Sequence, residues 1–239
     1  MFTVRSHVQA MKLLLTCEHA TNAIPSQYAY LFETHHEVLE THEGFDPGAF
    51  DLFKSLETLA DARYYQKVGR LLIETNRSLH HPSLFSRFST KLEQSEKNSI
   101  IATYYTPYRS QVENMIRNFQ QDNHVVLHVS VHSFTPVLNS LERNCDIGIL
   151  YDPGIPLEKQ WCVQFKSLLN QKSAYRIRSN YPYLGKADGF TTYLRKRFPE
   201  NYLGVEIEIN QKFVNSNLMD GRVKKLLFDC IEKSIKKAP

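Results

Sequence analysis

The sequence predicts an α/β protein, a single domain over residues 1–239 with a mixed, mostly parallel sheet flanked by helices. Apolar runs at residues 13–15 and 125–131 have the length of buried strands and are too short for buried helices. Between such runs, apolar residues recur at helical spacing. No repeat, linker or low-complexity stretch divides the chain.

Taken in order, the first strand, residues 13–15, gives way to Glu18-His19 and then to a turn ending at Pro25. Residues 26–40 are mixed, a short helix or loop. Asp46-Pro47 precedes a helix marked by Ala49, Leu52, Phe53, Leu56 and Leu59, a common start signal. Residues 62–68 and 71–75 read as strands, the second running into Asn76-Arg77. Residues 80–99 are polar and irregular, the pattern of a mobile loop near a site. Tyr104, Tyr108, Val112, Ile116 and Phe119 mark the next helix, and the strand at 125–131 ends in His132-Ser133. A strand at 147–152, a helix from Leu157 to Leu169 and a short helix over 191–198 follow. Val205, Ile207 and Ile209 alternate with Glu206 and Glu208 along a late strand, and a helix from Val223 to Ile235 closes the chain.

With 239 residues there is ample sequence for one core. The net charge of +4, without a basic run or a recognised motif, points away from a nucleic-acid partner. Four cysteines without a CxxC pair indicate neither a zinc knuckle nor a disulfide framework. Residues 11–16 are too short an apolar run for a signal segment or a membrane span. The expectation is a cytoplasmic protein with no membrane partner; oligomeric state is left unassigned.

In open α/β sheets chemistry gathers where strands end, and two apolar strands here end in histidines, His19 and His132. A catalytic zinc takes three protein ligands and keeps one open position. The third ligand lies in the stretch THEGFDPGA, residues 41–49, as Asp46 or as His42, although an Asp at a helix start also serves as a cap. Glu206 and Glu208 are either buried acids at work or the solvent face of an edge strand. Asn76-Arg77 suits a carboxylate, whose two oxygens match the guanidinium fork. Glu18 is a candidate to orient His19, but adjacent side chains on a strand point apart.

Seven segments then appear in order: CEHATNAIP (17–25), HEGFDPGA (42–49), ETNRSL (74–79), SVHSFTPV (130–137), DIGILYD (146–152), NYPY (180–183) and VEIEINQ (205–211). As a set they resemble the N-formylglutamate amidohydrolase family, in its CEHA-type branch. The resemblance implies a zinc hydrolase with a fold related to the zinc carboxypeptidases, aspartoacylase and N-acetylmuramoyl-alanine amidases. It implies one Zn²⁺ held by His19, Asp46 and His132, Glu206 as the base, and Asn76 with Arg77 on the carboxylate of a small acidic substrate. One departure stands out. Where the branch commonly reads Arg-Pro-Trp-His-Ile-Gly, this chain has Arg143-Asn144-Cys145-Asp146-Ile147-Gly148. The function expected is hydrolysis of the linear amide of an N-acyl amino acid similar to N-formylglutamate. A cell-wall peptide amidase and a non-catalytic binding protein of the same fold are the alternatives.

Overall fold

The computed structural model describes residues 10–236, so the ends of the predicted 1–239 domain lie outside the described residues. The strands are β1 (Met11–Cys17), β2 (Ala62–Tyr65), β3 (Val125–Phe134), β4 (Val137–Leu138), β5 (Leu141–Glu142), β6 (Ile147–Leu150), β7 (Ile177–Ser179), β8 (Tyr202–Asn210), β9 (Val214–Asn215) and β10 (Leu218–Met219). The helices are α1 (His36–Leu39), α2 (Ala49–Leu56), α3 (Gln94–Ile100), α4 (Thr106–Gln121), α5 (Pro156–Lys172), α6 (Phe190–Arg197) and α7 (Gly221–Ile235). Six strands form the main sheet in the order β2-β1-β3-β8-β6-β7. Strands β2, β1, β3 and β8 are mutually parallel, and β6 turns antiparallel to β8 with β7 parallel to it. This is the single α/β domain with a mixed, mostly parallel sheet that the sequence predicts.

Both faces of the sheet are covered, so its strands are apolar on both sides over much of their length. Leu13, Leu15, Leu127, Val129, Val131, Val205 and Ile207 pack beneath α2, α5 and α7. Leu14, Val126 and Tyr202 point the other way, against Tyr108, Val112 and Ile116 of α4 and Phe190 and Leu194 of α6. Because side chains alternate along a strand, His128, Ser130 and His132 share that second face. The register sets Glu206 beside Ser130 and Glu208 beside His132. Strand β8 is therefore central, and its two glutamates do not lie on the solvent face of an edge strand.

Two predicted features differ. Residues 71–75 form no strand; Leu72 and Ile73 are fully buried, but they pack with Val68, Leu84, Leu92 and Ile100 in a separate cluster. The apolar run reflects burial in turns rather than sheet pairing. Residues 80–99 are not a loose loop either. Ser86 and Ser89 donate hydroxyls to the carbonyl of Leu71, Leu84 and Leu92 are buried, and α3 begins at Gln94. A π-helical turn, Ile101–Tyr105, then joins α3 to α4. No helix among the described residues is long and apolar enough to cross a membrane.

The reversal at β6 has a geometric result. Strands β1, β3 and β8 end at one edge of the sheet, and β6 starts there. The connection from β3 to β6 stays on that edge, folded into the β4–β5 hairpin with Asn139 and Ser140 at its tip, both at positive φ as a tight type I′ turn requires.

Candidate metal centre

His19 follows β1 directly, and its carbonyl accepts the backbone N–H of Asp46 at 3.1 Å, bringing the 41–49 segment over the strand end. Gly48 makes the next turn at φ 75°, and an added Cβ would stand 2.6 Å from Val214 Cγ2. Glycine is required there on both counts. Gly48, not Asp46, occupies the N-cap of α2. Asp46 is thus released from capping, and its carboxylate turns toward the strand ends.

There the three predicted ligands meet. His132 Nδ1 lies 3.1 Å from His19 Nδ1 and 2.9 Å from Asp46 Oδ2, and His19 Nδ1 lies 3.2 Å from the same oxygen. All three residues are buried, and together they form a group suited to a metal ion. His42, the alternative ligand, is exposed and lines the pocket outside.

The far side of each ring is equally defined. His19 Nε2 lies 2.7 Å from Glu74 Oε1. His132 Nε2 faces Ser130 Oγ at 2.8 Å and Glu18 Oε2 at 3.2 Å, and the Ser130 hydroxyl donates to Glu18. Glu18 therefore serves His132 and not its neighbour His19, as the alternation of side chains on β1 requires. Arg70 donates to Glu74 Oε2 at 2.7 Å and to Asp46 Oδ1 at 3.3 Å.

The electrostatics follow. Burial opposes charge on Glu18, Glu74 and Asp46, but the partners prevail: His132 and Ser130 for Glu18, Arg70 and His19 for Glu74, and both histidines for Asp46. All three carboxyls are held well below the usual range. Burial likewise opposes a proton on the histidines, yet Asp46 and Glu18 carry His132 well above its ordinary value, and Glu74 and Asp46 raise His19. The site is short of positive charge. Two imidazole nitrogens and a carboxylate oxygen, each backed from behind, are an appropriate donor set for a divalent ion such as zinc.

Glu206 and Glu208 differ in surroundings. Glu206 is half-buried and accepts the hydroxyl of Thr191 at 2.6 Å. Glu208 is buried beside His132, and its Oε2 has no hydrogen-bond partner. Burial, with Asp46 and Glu206 nearby, pushes its carboxyl up to about 8 against the opposing pull of His132. Strained or orphaned polar groups of this kind concentrate at functional sites.

Asn76 and Arg77 lie further along the same edge. Asn76 Oδ1 accepts the backbone N–H of Phe190 at 2.8 Å, and Arg77 donates to the carbonyl of Asp188. Buried Arg109, 4.2 Å and 4.4 Å from the ring centroids of Phe190 and Tyr193, holds the carbonyls of Thr75 and Arg77 at 3.1 Å each. A pocket of about 280 Å³ opens from Asp46 and Arg70 past Ser133, Phe134 and Tyr183; Asn76 and Arg77 are not part of its wall. Asp146, where the related branch commonly has histidine, accepts the backbone N–H of Arg176 at 2.8 Å and pairs with Lys212.

Sequence reasoning did not single out Glu74 or Arg70, and it left Glu208 without a role. Glu74 did leave a trace, an acid closing the apolar run Leu71-Leu72-Ile73. Arg70 left none, because its link to the ligand set runs to Asp46, 24 residues away.

Fold and site together define an α/β domain carrying a buried His-Asp-His group at the carboxyl edge of its strands. The family model of the N-formylglutamate amidohydrolases matches residues 11–214, and the chain belongs to that family of hydrolases. A solved gene product from Agrobacterium tumefaciens is similar over 94% of this chain and 90% of its own, at 26% identity and a TM-score of 0.80. An N-formylglutamate amidohydrolase from Ralstonia eutropha JMP134 shares the fold over 96% of this chain and 94% of its own, at 16% identity and a TM-score of 0.72. A search of curated proteins returns no significant match.

Proposed function

We propose that the protein is a zinc-dependent amidohydrolase that cleaves the linear amide of a small, acidic N-acyl amino acid of the N-formylglutamate type. The observation that carries this reading is the convergence of His19 Nδ1, His132 Nδ1 and Asp46 Oδ2 on one point, with contacts of 2.9–3.2 Å. Those three residues would hold the ion, which when bound supplies Lewis acidity to the scissile carbonyl and acidifies the attacking water.

Glu208 fits the base better than Glu206. It stands beside His132 in the register with an unpartnered oxygen, whereas Glu206 is engaged by Thr191. Positive charge brought beside Glu208 lowers its proton affinity from about 8 toward neutrality, the range in which a general base is most effective. Glu208 would take the proton of the attacking water and deliver it to the leaving amine. Arg77 spends one of five guanidinium donors on the Asp188 carbonyl, and the others, with the Asn76 amide, would orient a substrate carboxylate.

The test begins with elemental analysis of the purified wild type and His132→Ala. Near one zinc per chain, lost in the variant, is the expected result; no metal in either, and none taken up on addition, would refute the reading. A panel of N-formyl and N-acetyl amino acids with and without side-chain carboxylates then defines the substrate. Glu208→Gln should retain zinc and lose about 10²-fold or more in kcat. Should Glu206→Gln do so instead, the base is Glu206.

A further inference from the structure

We propose that Glu18 and Glu74 are positioning residues that fix the tautomers of His132 and His19, so that both Nδ1 lone pairs face the cation. The inference rests on the metal reading above and adds what makes the three ligands a site rather than a chance cluster.

A neutral imidazole carries one proton, on one nitrogen or the other. An ionised carboxylate only accepts. Glu74 Oε1 at 2.7 Å from His19 Nε2 therefore places the proton on Nε2 and leaves Nδ1 bare. For His132 the hydroxyl of Ser130 is committed to Glu18, so Ser130 Oγ, at 2.8 Å, accepts from Nε2 as Glu18 does. In that neutral, metal-binding form two bare Nδ1 atoms and one carboxylate oxygen stand within about 3 Å of one another, and a cation takes the place of the protons the three would otherwise share.

The two carboxylates are not equivalent. Glu74 shares its charge with Arg70. Glu18 is buried just past the end of β1, and its other hydrogen-bond partners are hydroxyls, those of Tyr108 at 2.8 Å and Ser130. Its charge bears undiluted on His132, so its loss should weaken the site more than that of Glu74.

The experiment uses the full chain as wild type, Glu18→Gln and Glu74→Gln. Zinc affinity is measured by competition with a chelator, urea midpoints are taken metal-free, and visible spectra are recorded after cobalt(II) loading. Each variant should bind zinc 10–100-fold more weakly, Glu18→Gln the more so, with shifted cobalt bands. Wild-type affinity and spectra in both folded variants would overturn the inference, even if their midpoints fall. Should Glu18→Gln not fold, Glu18→Asp, which keeps the charge but draws the carboxylate back from Nε2 and Ser130, is measured in its place, and unchanged affinity and spectra there overturn the role of Glu18. A wild type that binds no zinc overturns the metal reading, and this inference with it.

Discussion

His128 offers a quantitative test of the polar layer beneath the centre. It lies on β3 with no solvent exposure, its Nε2 2.7 Å from Thr16 Oγ1 and its Nδ1 2.7 Å from the Tyr202 hydroxyl. These hydroxyls satisfy a neutral ring, one donating and one accepting. Burial depresses the pKa from 6.5 to about 4, with Arg195 and His132 adding to the effect and Glu18 opposing it. Below pH 6.5 the unfolded chain therefore takes up a proton that the folded protein refuses. The stability from keeping His128 neutral is intact above 6.5, is lost as pH falls toward 4, and loses nothing further below that. Between pH 7 and pH 4.5 the loss comes to about 2 kcal/mol for this one residue. Urea unfolding of wild type and His128→Gln at both pH values measures it, with chelator present so that metal release does not contribute. The difference between pH 7 and pH 4.5 should shrink by about 2 kcal/mol in the variant. Equal losses in the two proteins would show that His128 is not the group refusing the proton.

Glu158 and Arg195 form a buried ion pair at 2.8 Å that also ties α5 and α6 to the Gly204 backbone. Arg195→Met strands the Glu158 carboxylate and should cost about 3–5 kcal/mol in urea unfolding, with Glu158→Gln in the same chain recovering part of the loss. At Gly148 an added Cβ would fall 2.2 Å from the Tyr181 carbonyl oxygen. Gly148→Ala should therefore cost about 1–3 kcal/mol by the same assay. The new Cβ would also lie 3.2 Å from Cβ of Glu208, its cross-strand neighbour, so a fall in kcat is expected with it. Arg77→Lys should raise KM for substrates bearing a carboxylate and leave carboxylate-free amides unaffected; an equal rise for both would remove Arg77 from carboxylate recognition.

Much of this was legible from sequence because the central strands are buried on both faces. Residues 13–15 and 125–131 had to be nearly continuous apolar runs, and the polar residues that interrupt or follow them marked the site edge. His19 and His132 were found for that reason. Glu74 and Arg70 pair with each other four residues apart, but what ties them to the site, Glu74 to His19 and Arg70 to Asp46, lies across tens of residues, which no local pattern carries. Residues 71–75 misled for a related cause: burial writes the same apolar signature whether the backbone pairs in a sheet or folds into turns. The glutamates of β8 were visible as a pair, but only the register against His132 separates their surroundings.

The reversal at β6 has an evolutionary corollary. The chain leaves β3 and enters β6 on the same side of the sheet, so residues 135–146 cross no layer and support no helix. At its β4–β5 tip such a span can be rewritten or lengthened while the pairings of the six-stranded sheet and the His19-Asp46-His132 geometry stay in place. Leu138 of this span lines the pocket, and the Asn144-Cys145-Asp146 departure from the branch pattern falls within it. It is the part of the molecule where substrate preference can drift at the lowest cost to the fold.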